Sequence, residues 1–163
     1  MGEYIMKSVN NDELLIIDAA GHRLGRIASR VAKMLLQGKK IVIVNAKDVV
    51  ITGNKSAILE RYNRLIRRTW YSSLSKVQVW FPRRSDRILW YTIARMLPRK
   101  KPKGREALKR LRVYSGTPES YANVKKIKIE DALHKSEVSR SGKIIRAYRL
   151  VEIAKLIGSK EKH

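Results

Sequence analysis

Leu14-Leu15-Ile16-Ile17-Asp18-Ala19-Ala20-Gly21, followed by Leu24, Ile27, Ala28, Val31 and Leu35, and then Ile41-Val42-Ile43-Val44, is the apolar order that sets the class of this chain. The first run is short, unbroken and rich in branched side chains, as in a buried strand. Asp18–Gly21 supplies a turn. The next apolar residues recur at helical spacing, while Arg23, Arg26, Arg30 and Lys33 fall largely on other faces, which predicts an amphipathic helix. Gly38 stands just past its end, where a left-handed residue is favoured. Ile41–Val44 reads as a second buried strand. Strand, helix and strand in this order imply a parallel pair with a right-handed crossover, and hence an α/β fold.

Working outward, Val49-Val50-Ile51 is a third short strand. Thr52-Gly53-Asn54 is a turn placed to cap a helix whose apolar face is Ile58, Leu59, Tyr62, Leu65 and Ile66. Residues 69–84 read as a loop, with Val77–Phe81 open to an extended conformation. Asp86–Leu97 is a helix, with Leu89, Ile93, Met96 and Leu97 on one face and Pro98 as its stop. Arg99–Arg105 is a basic loop, in which Pro102 has a second reading as the first residue of a helix bearing Ala107, Leu108 and Leu111. Arg112-Val113-Tyr114 resembles a fourth strand, stopped by Gly116 and Pro118. Beyond Tyr121 the expected elements are a short helix over Ile127–Leu133 and another over Tyr148–Ile157. Three parts are therefore expected: a flexible segment 1–12, an α/β core 13–121, and a partly helical extension 122–163.

Charge narrows the function classes. The chain carries 37 Lys and Arg against 14 Asp and Glu, a net charge of +23, where a small soluble domain usually carries about 2–8. A surface so repulsive calls for a polyanionic partner, nucleic acid or an anionic membrane. The charge is concentrated: Arg61–Arg112 holds 17 basic residues and only two acids, Asp86 and Glu106. Trp70, Tyr71, Trp80, Phe81, Trp90 and Tyr91 interleave with them. Arg presents a planar fork of donors to phosphate, and aromatic rings stack on unpaired bases. Trp90 and Tyr91, inside a predicted helix, read as packing residues. Trp70, Tyr71, Trp80 and Phe81 are open to either role.

Other chemistries find little support. The absence of cysteine removes disulfides and thiolate metal sites and agrees with a reducing, cytoplasmic setting. Met1–Asn11 lacks a signal-peptide core, and no apolar run approaches the roughly 18 residues of a membrane span. Gly21-His22-Arg23-Leu24-Gly25 is not a dinucleotide fingerprint, because Arg23 occupies the second glycine position. Thr52-Gly53-Asn54-Lys55-Ser56 is not a phosphate-binding P-loop, because Asn54 separates Gly53 from Lys55. Both glycine turns are instead read as presenting backbone N–H groups and basic side chains to RNA phosphates. His22, His134 and His163 form no ligand or nucleophile pattern, and Asp18 lacks an acid–base partner. No cofactor, metal, small-molecule substrate or catalytic residue is expected. An α/β enzyme acting on nucleotides or RNA and a DNA-compacting protein stand as alternatives. The first is weakened by the broken phosphate motifs, the second by the lack of a recognisable DNA-binding module.

Four separated blocks carry a family resemblance. Asp18-Ala19 with Leu24-Gly25-Arg26-Ile27-Ala28 is the first. Ile43-Val44-Asn45-Ala46 followed by Ile51-Thr52-Gly53-Asn54-Lys55 is the second. Arg95-Met96-Leu97-Pro98 with a basic loop, Gly104 and Ala107-Leu108 is the third, and Leu111-Arg112-Val113-Tyr114 with Gly116-Thr117-Pro118 the fourth. In this order they resemble the L-thirteen family of large-subunit ribosomal proteins, in an archaeal-like version, over about Leu14–Tyr121. Two features depart from the family pattern: Arg95 stands where Gly often precedes Met-Leu-Pro, and Leu65–Val79 lacks the usual Gly-Pro.

The resemblance implies a three-layer α/β/α fold with a four-stranded parallel sheet, order 3-2-1-4, here with a C-terminal helical extension. It further implies a non-enzymatic role in binding large-subunit rRNA, typically early in assembly, beside other ribosomal proteins. The residues expected to carry the rRNA contacts are His22, Arg23, Arg26, Lys55, Arg61, Arg64, Arg67, Arg68, Arg83, Arg84, Arg87, Arg95, Arg99, Lys100, Lys101, Lys103 and Arg105.

Overall fold

The computed structural model describes residues 14–67, 69–71, 76–78, 81–134, 138, 142 and 144–160. Strand β1 (Leu14–Asp18), helix α1 (Leu24–Leu36) and strand β2 (Lys40–Val44) form the expected β-α-β unit. The two strands pair in parallel, Leu15 opposite Ile41 and Ile17 opposite Ile43. Ile27, Ala28, Val31 and Leu35 of α1 are all buried. Gly38 adopts φ +98°, and the N–H groups of Gly38 and Lys39 donate to the carbonyls of Leu35 and Met34. A left-handed residue therefore closes the helix, as the glycine suggested.

The rest of the sheet corrects the expected order. The chain leaves β2 through Asn45, held left-handed at φ +57°, and a 3-10 turn over Ala46–Asp48. Strand β3 (Val50–Thr52) follows, then helix α2 (Lys55–Arg67) and an antiparallel hairpin of β4 (Thr69–Tyr71) and β5 (Lys76–Gln78). Helices α3 (Ser85–Met96) and α4 (Pro102–Lys109) lead to β6 (Leu111–Val113). Strand β6 pairs in parallel with β2, Leu111 opposite Ile41, so the parallel sheet runs β1-β2-β6. The N–H groups of Asn45, Ala46 and Lys47 donate to the carbonyls of Gly116, Tyr114 and Ser115, which stitches the segment after β6 to the end of β2. Strand β6 thus occupies the place expected for the third strand. On the outer side of β1, where the fourth was expected, Ile127 makes a single parallel bridge to Ile17. Strand β3 instead pairs antiparallel with β7 (Ala147–Arg149).

The layering is also corrected. Strand side chains alternate between faces. Ile17, Ile41, Ile43 and Leu111 join the main core, to which α1, α3, α4 and helix α5 (Leu150–Leu156) contribute Val31, Leu89, Ala107 and Leu150. Each fully buried Val, Leu or Ile side chain among these contributes about 1.5–3 kcal/mol. The opposite face, Ile16, Val42 and Val44, is covered by Tyr114 and Tyr121. Among the described residues that face carries aromatic side chains from the segment after β6, which includes a single 3-10 turn at Glu119–Tyr121, rather than a third layer of α-helices.

Local boundaries differ from expectation in three places. Residues 69–84, read as a loop with Val77–Phe81 open to an extended conformation, contain the paired strands β4 and β5, and β5 overlaps the start of that extended segment. The helix expected over Ile127–Leu133 shrinks to a 3-10 turn at Glu130–Ala132. Tyr148 and Arg149 are strand, and the helix begins at Leu150, whose N–H donates to the Val49 carbonyl at 2.7 Å. The expected segment 1–12, Arg68 and Trp80 lie outside the described residues, as do the side chains of Trp70 and Tyr71.

Candidate nucleic-acid interface

Helices α2 and α3 face each other across Phe81. The Phe81 ring lies 5.7 Å from that of Tyr62 on α2 and 5.4 Å from that of Tyr91 on α3, edge-on to the latter at 76°. These rings, with Ile58 and Leu65, floor a groove of about 460 Å³ whose rim carries Arg23, Arg61 and Arg95. A second hollow of about 820 Å³ shares Leu65, Phe81, Tyr91 and Arg95 with the first and extends to Arg99, Lys100 and Lys101. The Arg95 guanidinium carbon sits 5.9 Å from the centre of the Tyr91 ring, within cation–π range. Burial pushes the Tyr62 phenol above the usual tyrosine range, and the charge of Arg61 beside it opposes that shift.

The sequence explains why the basic loop is held. Pro98 cannot continue α3, and Pro102 opens α4 at its first turn, where a missing N–H costs nothing. The Lys101 N–H donates to the Pro98 carbonyl at 3.0 Å and closes the turn. Gly104 lies against Pro98 so closely that a Cβ there would overlap the Pro98 carbonyl. Arg99, Lys100 and Lys101 project from this braced turn, all exposed.

The remaining expected contacts divide. Arg67, Arg83, Arg87, Lys103 and Arg105 are exposed. Lys55 is exposed and stands 5.9 Å above the Tyr148 ring. Arg64 is paired with Glu60 at 2.6 Å and Arg84 with Asp86 at 3.2 Å, so part of their charge is already answered. Arg26 donates to the Asp131 carbonyl at 3.4 Å.

His22 is a correction. Its side chain is completely buried. Nε2 accepts the Ile129 N–H at 3.0 Å, so the ring proton sits on Nδ1, which donates to the Ala20 carbonyl at 3.1 Å. Both nitrogens are committed inside the fold, and His22 offers RNA no side-chain contact.

Three features of the site escaped the sequence reading. Tyr62 and Tyr91, whose helical positions suggest packing alone, line an open groove, while Trp90 packs against the core as expected. His134, from a part of the chain with little family signal, accepts from Arg23 Nε at 3.1 Å and holds that side chain at the rim. Asp131 pairs with Arg30 at 2.8 Å and so neutralises part of the α1 basic face. A tyrosine on an otherwise apolar helix face was the available signal for the first. The other two depend on pairings across more than a hundred positions.

Among the described residues no helix is long and apolar enough to cross a membrane, and no group of His, Cys, Asp or Glu is placed to hold a metal ion. The family described as Ribosomal protein L13 matches residues 12–120. Large ribosomal subunit protein uL13 of Archaeoglobus fulgidus is 43% identical over 148 residues, covering 90% of this chain and 89% of that protein. The protein of the same name from Methanocaldococcus jannaschii is 44% identical over 147 residues, 90% of this chain and 99% of its own. That of Picrophilus torridus is 43% identical over 145 residues, 89% and 97%. Well over half of the chain fits the family, and relatives, archaeal in these three cases, align along almost all of it: the chain belongs to the Ribosomal protein L13 family.

Proposed function

We propose that this protein is a structural constituent of the large ribosomal subunit, in the cytoplasm, that binds and organises large-subunit rRNA from an early stage of assembly and supports translation without catalysing a reaction. Family membership supports the ribosomal role. The observation that carries the mode of binding is the run of basic side chains along the joined grooves, from Arg23 through Arg61 and Arg95 to Arg99, Lys100 and Lys101. Among the described residues no carboxylate lines either groove.

The mechanism is electrostatic. Each Lys or Arg that neutralises a phosphate releases condensed counterions, so affinity is high at low salt and falls as salt rises. The contacts position the RNA rather than read its sequence. The proposed contact set is the one read from the sequence without His22: Arg23, Arg26, Arg61, Arg95, Arg99, Lys100, Lys101, Lys103 and Arg105 at its centre. Lys55, Arg64, Arg67, Arg68, Arg83, Arg84 and Arg87 are its periphery. In this reading residues 13–121 are the rRNA-binding core and residues 122–163 an extension that braces it, through His134 and Asp131 on one side and Leu150 on the other. Neighbouring large-subunit ribosomal proteins are the expected protein partners, and no cofactor is required.

The test is co-sedimentation. The chain should travel with large subunits through a high-salt wash and bind isolated large-subunit rRNA in a salt-dependent manner. A chain recovered entirely free of subunits, with no affinity for the rRNA, would overturn the proposal.

A further inference from the structure

A surface that met only duplex RNA would need basic side chains and little else, since an A-form helix offers phosphates and 2′-hydroxyls to a protein and keeps its bases stacked. The joined grooves hold more than that. Their shared floor is Phe81, Tyr91 and Leu65, and the narrower one has a volume of about 460 Å³. This falls in the range of roughly 300–1,000 Å³ typical of pockets that take a small organic group. Phe81 and Tyr91 meet edge to face, both are only half-buried and both line the two grooves, and Arg95 lies over Tyr91 as a second planar group. The charged lining is cationic and mostly exposed, with Arg23, Arg61 and Arg95 in the first groove and Arg95, Arg99, Lys100 and Lys101 in the second. An aromatic floor beneath a cationic rim is the arrangement that holds single-stranded nucleic acid, with bases stacked below and phosphates held above.

We infer that the groove between α2 and α3 receives an unpaired segment of RNA, with at least one base seated against Phe81 and Tyr91 and its flanking phosphates on Arg61, Arg95 and the 99–101 loop. The inference rests on the rRNA-binding reading and names what that site takes. An apolar segment of a neighbouring protein would suit the floor, but it would leave a row of guanidinium and ammonium groups without counter-charges.

The experiment compares two RNA probes on the full chain: an eight-nucleotide single strand of mixed sequence and a perfectly paired RNA hairpin. Tyr91→Leu and Phe81→Leu keep the floor apolar while removing a ring, and circular dichroism melts establish which variants fold. Stacking of one base corresponds to about a tenfold change in affinity. The expected result is that each folded ring variant binds the single strand about tenfold more weakly, with the same salt slope and unchanged hairpin affinity. Equal weakening of both probes, or no weakening, would overturn the inference.

Photo-crosslinking of the unsubstituted chain in large subunits, with 4-thiouridine in the rRNA, supplies a readout independent of variant folding. A crosslink between the Tyr62–Met96 region and an unpaired uridine supports the inference. Crosslinks from this region only to paired uridines, or capture of a ribosomal protein there by a photoreactive group at position 96, would overturn it. Failure of the wild-type chain to bind either RNA would instead overturn the rRNA-binding reading itself.

Discussion

His22 and Ile129 are joined across the outer edge of the parallel sheet: the Ile129 N–H donates to Nε2 of His22 at 3.0 Å, and the ring lies fully buried. The same ring donates through Nδ1 to the Ala20 carbonyl, at the turn that leads into α1. One imidazole thus ties the turn between β1 and α1 to a segment 107 positions away.

Replacing His22 by Ala removes a fully buried ring and leaves the half-buried Ile129 N–H and Ala20 carbonyl without this partner. An unsatisfied buried group costs about 1–3 kcal/mol, so His22→Ala should lower unfolding stability by at least that much in a urea titration. If the folded fraction is assayed, RNA affinity should stay within about twofold of wild type, because the ring touches no RNA. A specific loss of RNA affinity in a fully folded variant would count against this assignment.

Asn45 separates backbone from side-chain effects. Its Nδ2 donates to Asp18 Oδ1 at 2.9 Å, its Oδ1 accepts from Thr117 Oγ1 at 2.9 Å, and its backbone is left-handed. Asn45→Gly removes the two hydrogen bonds but keeps the conformation. Asn45→Ala removes both and adds the left-handed strain of about 1–2 kcal/mol. The expected ranking of melting temperatures is wild type, then Gly, then Ala.

Gly104→Ala tests the brace under the basic loop. The added methyl group would overlap the Pro98 carbonyl, a backbone atom that cannot swing aside. Overpacking of this kind costs about 1–3 kcal/mol, and the melting temperature should drop. The RNA affinity of the folded protein should drop as well, because the turn carrying Arg99, Lys100 and Lys101 must move. A variant as stable as wild type would show that α4 slides freely on Pro98.

Neutralising the loop itself by Arg99→Gln, Lys100→Gln, Lys101→Gln and Lys103→Gln together should leave the melting temperature nearly unchanged, since all four side chains are exposed. Binding to large-subunit rRNA should weaken. The slope of log affinity against log salt should become shallower by up to about 0.7–0.9 for each phosphate that is no longer neutralised. An unchanged slope would remove the loop from the interface.

Tyr62 gives a pH signature. Burial raises its phenol pKa in the folded state, with Arg61 partly offsetting the rise. The unfolded chain therefore releases this proton first as pH increases, near the ordinary tyrosine value of about 10. The stabilising contribution is complete below that value and is lost as pH rises through the folded pKa. Stability measured from about pH 8 to 11 should fall at the alkaline end, and Tyr62→Phe should flatten that part of the fall.

The β-α-β opening, the helix stops at Gly38 and Pro98, and the burial of Ile27, Val31 and Leu35 were legible because each is local. Hydrophobic spacing distinguishes helix from strand within a dozen residues, and Gly and Pro act on the backbone where they stand. The expectation of a polyanionic partner needed no coordinates, because net charge is read from composition alone. What folding added rests on contacts distant in the chain. The pairing of β6 with β2, the withdrawal of β3 to β7, the burial of His22 and the meeting of Tyr62, Phe81 and Tyr91 across one groove depend on which backbone N–H finds which carbonyl and which face finds cover. A histidine beside an arginine in a turn looks the same in sequence whether it points to solvent or into the core. The Ile129 amide, brought alongside by the parallel bridge from Ile127 to Ile17, is what turned it inward.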